Sequence, residues 1–258
     1  VFDAKGKQTA AHKSTAGYYG LAAAPGGEKL YSLEKIEEGL YSLIEFSLKD
    51  NTRRTISKEI STAGPKIWYS QEAEGLVYLQ KTGTGDMPYY IGHCKTNEAN
   101  PYYVNVTFYK DFKYSLYDFS DAAQTPLPKS LGLAAVVVET ADKPQLKVFE
   151  VGNTQSSASD AERLSISLPH TPSAGAVAFS PDGSYLGVGY DNVYEVYGMR
   201  ETHREAMKLK MKDKPLARFS IEKGKYITGL RFSPDNRYIA IALNQESDNL
   251  ILYESGVE

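Results

Sequence analysis

The chain has 258 residues, of which 41% are hydrophobic and 24% are charged, a balance that excludes a disordered or fibrous chain. No apolar run approaches the roughly 20 residues that a membrane-spanning helix needs, so we expect no membrane insertion. The formal net charge of -3 gives the chain no general attraction to polyanions, and nucleic acid is not expected as a partner.

The first repeating unit begins with an apolar strand over residues 18–23 and turns at Ala24-Pro25-Gly26-Gly27. Pro25 presets φ for a tight turn, and the glycines accept positive φ, so this segment predicts a hairpin. A second strand over residues 30–33 leaves the turn. A third strand over residues 43–46 alternates apolar and polar positions and ends on an aromatic ring.

The next two units repeat this order with weaker turn signals. In the second unit, residues 67–69 lead to a turn at Gln71, and residues 76–79 leave it. In the third unit, Pro128 precedes an apolar strand over residues 131–138. The sequence then predicts a third strand over residues 146–149 and a polar fourth strand over residues 164–168.

The last two units match each other most closely. Residues 178–186 read Ala-Phe-Ser-Pro-Asp-Gly-Ser-Tyr-Leu, and residues 231–239 read Arg-Phe-Ser-Pro-Asp-Asn-Arg-Tyr-Ile, 53 positions later. Predicted second and third strands follow at 185–190 and 194–197, then at 238–243 and 250–253. The turns of all five units, here called the anchor turns, are centred on these positions: Pro25, Gln71, Pro128, Pro181 and Pro234.

Short antiparallel strands that repeat every 50 residues or so cannot bury their apolar faces alone, so neighbouring sheets must stack. The sequence therefore predicts an all-β chain, a β-propeller of five blades forming a single domain over residues 1–258, or part of a larger propeller. A single β-sandwich is the alternative, but it gives no reason for the regular return of the anchor turn. We expect strand above about 35% and helix below about 10%.

The Phe-Ser-Pro-Asp-Gly turn, followed by Tyr-Leu and a strand of small residues, resembles the repeat of Trp-Asp-repeat-like and related bacterial propellers. Similar units occur in structural proteins of tailed phages. The motif is strong over residues 176–199 and 229–254 and degenerate in the other three units. The only tryptophan, Trp68, lies in a first strand and not at the end of a third strand, which departs from the eukaryotic Trp-Asp pattern.

The two termini suggest how the ring closes. The fifth unit has no predicted fourth strand, and the segment from Val1 to Gln8 precedes the first unit. That segment is expected to complete the fifth blade and to cover its open edge. The alternative is a frayed terminus, or a boundary within a longer chain.

Catalytic motifs are not found in the sequence. The four histidines are widely separated, and neither a nucleophile elbow nor a phosphate loop occurs. Glycoside hydrolysis needs two carboxylates around one bond, and the four first strands that are easiest to read contain neither Asp nor Glu. We therefore expect no enzyme activity, no catalytic residues, no cofactor and no metal site.

The leading interpretation is a non-catalytic structural or interaction module that binds a protein partner. The alternative is a carbohydrate-directed propeller, either lectin-like or a glycoside hydrolase. The resemblance favours a phage virion or another extracellular assembly, while the single cysteine, Cys94, leaves the compartment open. The oligomeric state is not predicted.

Binding is expected on the loops between second and third strands, because these loops vary in length and chemistry among the units. The candidate residues, one in each unit, are Lys35, Asp86, Lys143, Asp191 and Gln245. The opposite face carries the short anchor turns and has less material for specificity.

Overall fold

The computed structural model describes residues 17–62, 66–81, 89–98, 102–109, 111–121, 130–152, 155–173, 175–199, 214–245 and 249–255. Strands account for 66% of this structure. The one helix within the described ranges is α1 (Ala158–Ala161). The expected excess of strand over helix is confirmed. None of these residues forms a helix with the length and apolar character needed to cross a bilayer.

Within the described residues, twenty strands form five sheets that follow one another along the chain. Sheet 1 contains β1 (Tyr18–Ala23), β2 (Lys29–Glu37), β3 (Leu40–Ser47) and β4 (Thr52–Ser61). Sheet 2 contains β5 (Trp68–Ser70), β6 (Gly75–Lys81), β7 (Tyr89–Lys95), β8 (Tyr102–Phe108) and the later strand β12 (Ser156–Ser157).

The remaining three sheets repeat the same meander. Sheet 3 contains β9 (Lys113–Asp121), β10 (Ser130–Glu139), β11 (Gln145–Gly152) and β13 (Glu162–Ser167). Sheet 4 contains β14 (Val177–Phe179), β15 (Tyr185–Tyr190), β16 (Val193–Gly198) and β17 (Ala217–Ser220). Sheet 5 contains β18 (Ile227–Phe232), β19 (Tyr238–Leu243) and β20 (Leu250–Glu254).

The core lies between consecutive sheets. Four buried clusters of described residues join sheets 1 and 2, sheets 2 and 3, sheets 3 and 4, and sheets 4 and 5. The sequence of β10 is continuously apolar because the strand packs on both faces. Ala134 and Val136 pack toward sheet 2, whereas Leu133 and Ala135 pack toward sheet 4. A strand between two sheets must be apolar on both faces.

The predicted anchor turns can be placed on the observed strands. Four of these turns join the first and second strands of their sheets, and Pro128 lies outside the described residues. In sheet 4, Ser180 Oγ donates to Asp182 Oδ1 over 2.8 Å and accepts the N–H of the residue five positions later over 2.9 Å. In sheet 5, Ser233 and Asp235 make the same two contacts over 2.6 and 2.9 Å.

These two anchor turns are also neighbours in space. Gly183 and Asn236 occupy the same turn position with φ of 66° and 62°, the left-handed region that glycine and asparagine tolerate. A side-chain hydrogen bond links Asn236 to Asp182. The anchor turns of sheets 4 and 5 therefore lie side by side at one end of the strands, here called the anchor face.

Sheet 2 has a fifth strand, which comes from the segment that follows β11. Strand β12 pairs in parallel with β8, and Ser156 Oγ donates to the carbonyl of Asn105 over 3.2 Å. The sequence did not predict this strand, because a two-residue strand has no recognisable periodicity.

Ring closure is not decided by the described residues. No buried cluster among them joins sheet 5 to sheet 1. The segment from Val1 to Gln8, predicted to complete the fifth blade, lies outside them. The blade count and the closure therefore stay predictions.

Candidate binding face

Connections between second and third strands lie at the end of the strands opposite the anchor turns, because consecutive strands run antiparallel. The connections from each fourth strand to the next sheet return to this same end. We call it the loop face. It is the face on which the sequence predicts binding.

A first cleft of about 470 Å³, cleft A, lies where sheets 1, 2 and 3 meet at the loop face. Glu37, Glu38 and Leu40 contribute from the β2–β3 connection. Tyr89 and Tyr114 contribute from the first residues of β7 and β9.

A second cleft of about 510 Å³, cleft B, lies between sheets 2 and 3. Its floor includes Phe108 and Phe149, which are buried. Its rim includes Tyr109 and Phe112, whose exposed fractions are 54% and 43%. Asp142 lines the side formed by the β10–β11 connection. Both clefts fall within the few hundred Å³ typical of ligand sites.

Tyr114 lines both clefts and joins them through a continuous row of aromatic rings, which we call the Tyr114 seam. Its ring centroid lies 5.5 Å from that of Tyr89, 4.6 Å from that of Phe108 and 6.5 Å from that of Phe112. Burial raises the pKa of Tyr114 to about 12, so the seam is uncharged at neutral pH. The seam gives an elongated apolar path across the loop face.

The charges around cleft A are largely paired. Lys113 lies 3.3 Å from Glu139, and Glu38 lies 2.6 Å from Lys35. The ammonium of Lys81 lies 5.8 Å from the ring centroid of Tyr89, within the range of a cation–π contact.

In cleft B, some acidic side chains have no ion-pair partner among the described residues. Lys147 and Glu162 line it and neutralise each other over 2.5 Å. Asp142 also lines it, and Lys110 and Asp111 lie between the two rim aromatic residues in the chain, with Lys110 outside the described residues. Within the described part of the chain, neither aspartate has a cationic partner.

The outer wall of cleft B is held by α1 and β12. The N-cap Ser157 accepts the N–H of Asp160 and places Ala158 and Ser159 over the cleft. Parallel pairing of Ser157 with Thr107 fixes this segment to β8. The wall is therefore attached to the same strand that ends at Phe108 and leads to Tyr109.

Among the described first strands, β9 carries a half-buried carboxylate, Asp118, that the sequence prediction missed. Asp118 lies on β9, a first strand that the sequence analysis did not identify. Its two oxygens accept the indole N–H of Trp68 over 3.0 Å and the backbone N–H of Phe179 over 2.7 Å. Burial raises its pKa, although these hydrogen bonds oppose the shift. The expectation that first strands lack Asp and Glu holds for the four that were read, but not for β9.

Four of the five predicted candidate residues lie within the described residues, in or beside the connections between second and third strands. Lys35, near the end of β2, pairs with Glu38, which lines cleft A. Lys143 is exposed in the β10–β11 connection next to Asp142, but it does not line cleft B. Asp86 lies outside the described residues.

The other two candidates lie on the sheet 4 and sheet 5 side of the loop face. Asp191 has φ of 48° and its carbonyl accepts the N–H of Ile227 over 2.8 Å. His170 Nε2 lies 3.7 Å from its carboxylate. Gln245 follows β19 and is half-buried. Neither residue lines cleft A or cleft B.

Sequence reasoning did not single out the residues of the seam or the rim residue Tyr109 as site residues. Tyr114 is 6% exposed, whereas Tyr109 is 54% exposed. The available signal was the presence of two aromatic residues, Tyr109 and Phe112, in a short connection where polar residues are the norm.

No group of three or more potential metal ligands occurs among the residues with described positions. His93 is stacked on Tyr103 with centroids 4.7 Å apart, and its Nδ1 lies 3.1 Å from Asn105 Oδ1. Burial lowers the pKa of His93. These contacts give this histidine a packing role within sheet 2.

No family model and no curated protein matches the chain. Solved structures do. A chain of a mitotic checkpoint complex has a TM-score of 0.60 at 12% identity, covering 98% of this chain and 70% of that one. The periplasmic gluconolactonase of Pseudomonas aeruginosa has a TM-score of 0.59 at 13% identity, covering 98% of this chain and 73% of that one. A chain of a nidogen–laminin complex has a TM-score of 0.54 at 14% identity, covering 92% and 75%.

These neighbours are β-propellers, so the chain is all-β with a propeller-like fold. Five separate sheets also rule out a single sandwich within the described residues. The neighbours include components of protein complexes as well as an enzyme, and identities this low concern the fold alone.

Proposed function

We propose that this chain is a non-catalytic five-bladed propeller that binds an extended segment of a protein partner along the Tyr114 seam. The observation that carries the proposal is the continuity of clefts A and B through one buried tyrosine. Tyrosine and phenylalanine rings supply large contact area at little entropic cost, and they are enriched in protein interfaces.

The charged groups support a binding role over a catalytic one. In cleft B, Lys147 and Glu162 are paired, and in cleft A, Lys113 is held by Glu139. Both carboxylate oxygens of Asp118 already accept protein donors. These two hydrogen bonds give Asp118 a structural role between sheets 2, 3 and 4.

A carbohydrate ligand is the second candidate, because the exposed rings of Tyr109 and Phe112 flank a cleft that also presents the Asp142 carboxylate. Aromatic rings beside a carboxylate suit a sugar as well as a peptide. Placement in a phage virion or another extracellular assembly remains a proposal from the sequence resemblance.

The test compares peptide and glycan binding to the wild type and to the double variant Tyr109→Ala/Phe112→Ala. A displayed library of random 12-residue peptides and a glycan array serve as probes. We expect selected peptides to bind the double variant at least about tenfold more weakly, a loss of about 1.4 kcal/mol. The free energy of unfolding should change by less than about 0.5 kcal/mol, because both side chains are exposed.

Tyr226→Ala is the matched control. Tyr226 is 51% exposed and precedes β18, away from both clefts. Its backbone N–H donates to Asn244, a contact that the substitution leaves in place. Equal peptide affinity for the wild type and the double variant would contradict the proposal, and glycan binding without peptide binding would favour the carbohydrate alternative.

The five loop residues predicted from the sequence remain candidates for the same partner. Alanine at Lys35, Asp86, Lys143, Asp191 or Gln245 should weaken binding by more than about 1 kcal/mol at one or more positions. Stability should change by less than about 0.5 kcal/mol at four of them. Asp191 is the exception, because its φ of 48° strains alanine, and Asp191→Asn is the better test there.

A further inference from the structure

We propose that cleft B selects a partner segment in which an arginine or lysine stands next to an apolar side chain. This inference rests on the proposed function and adds the chemistry of the ligand. Three features of cleft B support it: the charges of its lining, the exposed aromatic rings at its rim and the apolar side chains on its floor.

Charge is the first step. Among the described residues, Lys147 is the one lysine that lines the cleft, and its ion pair with Glu162 reduces its repulsion of a cationic ligand. Asp142 lines the cleft and has no counter-ion among the described residues. Asp111 follows Lys110 in the rim connection, and Lys110 lies outside the described residues. A cationic side chain at the rim would meet the Asp142 carboxylate and no unpaired cation of the described lining.

The rim aromatic residues are the second step. Tyr109 and Phe112 are 54% and 43% exposed, and they lie in the same connection, separated by Lys110 and Asp111. A guanidinium or ammonium group is attracted to an aromatic ring face, and the contact strengthens when it is shielded from water. Arginine can stack on a ring and hydrogen-bond a carboxylate at the same time.

The floor is the third step. Phe108, Val138 and Phe149 line the inner part of cleft B and are at most 3% exposed. They offer an apolar surface continuous with the core between sheets 2 and 3. An aliphatic or aromatic side chain of the ligand can cover this floor while its basic neighbour stays at the acidic rim.

The experiment uses peptides selected against the full chain, each prepared with its Arg or Lys replaced by Gln. We expect the Gln peptides to bind at least about fivefold more weakly and the parent peptides to lose affinity as NaCl rises. Asp142→Lys should weaken the parent peptides at least about tenfold. Glu72→Lys, a reversal at an exposed site in the anchor turn of sheet 2, should leave affinity within about twofold.

The outcomes separate this inference from the proposed function. If Gln peptides bind as well as their parents while Tyr109→Ala/Phe112→Ala still weakens both, the cationic preference is wrong and the peptide-binding face stands. If the selected peptides are acidic or if Asp142→Lys strengthens them, the preference is also wrong. If no peptide depends on Tyr109 and Phe112, both proposals fail.

Discussion

Asp118 holds three consecutive sheets together with one carboxylate. It lies on sheet 3, accepts an indole N–H from Trp68 of sheet 2, and accepts a backbone N–H from Phe179 of sheet 4. Nearby, Lys66 donates to the carbonyl of Tyr117 over 3.1 Å. These contacts tie the first strands to one another by polar bonds in addition to apolar packing.

We expect Asp118→Asn to lower the free energy of unfolding by about 1–3 kcal/mol, because the amide cannot accept from both Trp68 and Phe179. Asp142→Asn is the control at an exposed site and should cost less than about 0.5 kcal/mol. Urea denaturation of both variants measures the difference. Equal stability of the two variants would show that Asp118 does not bridge the sheets.

Glu45 predicts a pH dependence of stability. Its burial favours the neutral form, but hydrogen bonds from Arg54 over 2.6 Å and from Lys29 over 3.3 Å prevail, and the pKa of Glu45 lies below its ordinary value. A depressed folded pKa gives stability that is present above the unfolded pKa of about 4.3 and is lost as pH falls through the folded pKa.

The advantage of wild type over Glu45→Gln in unfolding free energy should therefore be larger at about pH 7 than at about pH 3.5. Urea titrations at the two pH values measure it. Glu28→Gln, at an exposed position in the sheet 1 anchor turn, serves as the control and should show no such change. A Glu45→Gln difference independent of pH would refute the assignment.

For the site, the sequence could indicate the connections but not the individual residues that line the clefts. The sequence indicated the connections of the loop face, but the clefts depend on which sheets stack and on how far Phe112 and Tyr109 project. Exposure of this kind is a tertiary property and has no local pattern. Asp142 was overlooked in favour of its neighbour Lys143, although both are equally plausible from composition.

Among elements, second strands were predicted best. Strands β15 and β19 match the predicted ranges 185–190 and 238–243, because a strong turn precedes each and both are apolar over their length. Strands β4 and β9 were not identified as strands, because β4 is polar over most of its length and β9 mixes polar and aromatic residues without regular alternation. The omission of β9 hid Asp118.

The two strong anchor turns give a paired test at this scale. Ser180 is 2% exposed, whereas Ser233 is half-buried, although each serine makes the same two hydrogen bonds. We expect Ser180→Ala to cost about 1–3 kcal/mol and Ser233→Ala about 1 kcal/mol or less, because water can replace the lost contacts only in the second case. Denaturant unfolding checks the order, and a larger loss for Ser233→Ala would contradict it.

At the scale of the whole molecule, the sheets form a series in which each packs on the one before it. The outer face of sheet 5 carries Leu250 and Leu252, which are 69% and 65% exposed. By contrast, Ile239 and Ile241 on the other face are fully buried against sheet 4.

We expect Leu250→Thr/Leu252→Thr to change the free energy of unfolding by less than about 1 kcal/mol and to raise solubility, because these side chains lose little burial. Ile239→Val is the reference for the buried face and should cost about 0.5–1.5 kcal/mol. Static light scattering and urea denaturation measure the two effects. A larger loss from the double variant than from Ile239→Val would mean that another part of the protein covers this face.

Strand β12 has a consequence for synthesis on the ribosome. Ser156 donates a hydrogen bond to Asn105, a residue 51 positions earlier in the chain. The outer edge of β8 therefore stays unpaired until most of the third sheet has been translated. Until then the nascent chain presents an unpaired strand edge, the kind of surface that chaperones and neighbouring nascent chains can engage. Synthesis arrested before residue 156 should therefore yield a more aggregation-prone product than arrest after β13.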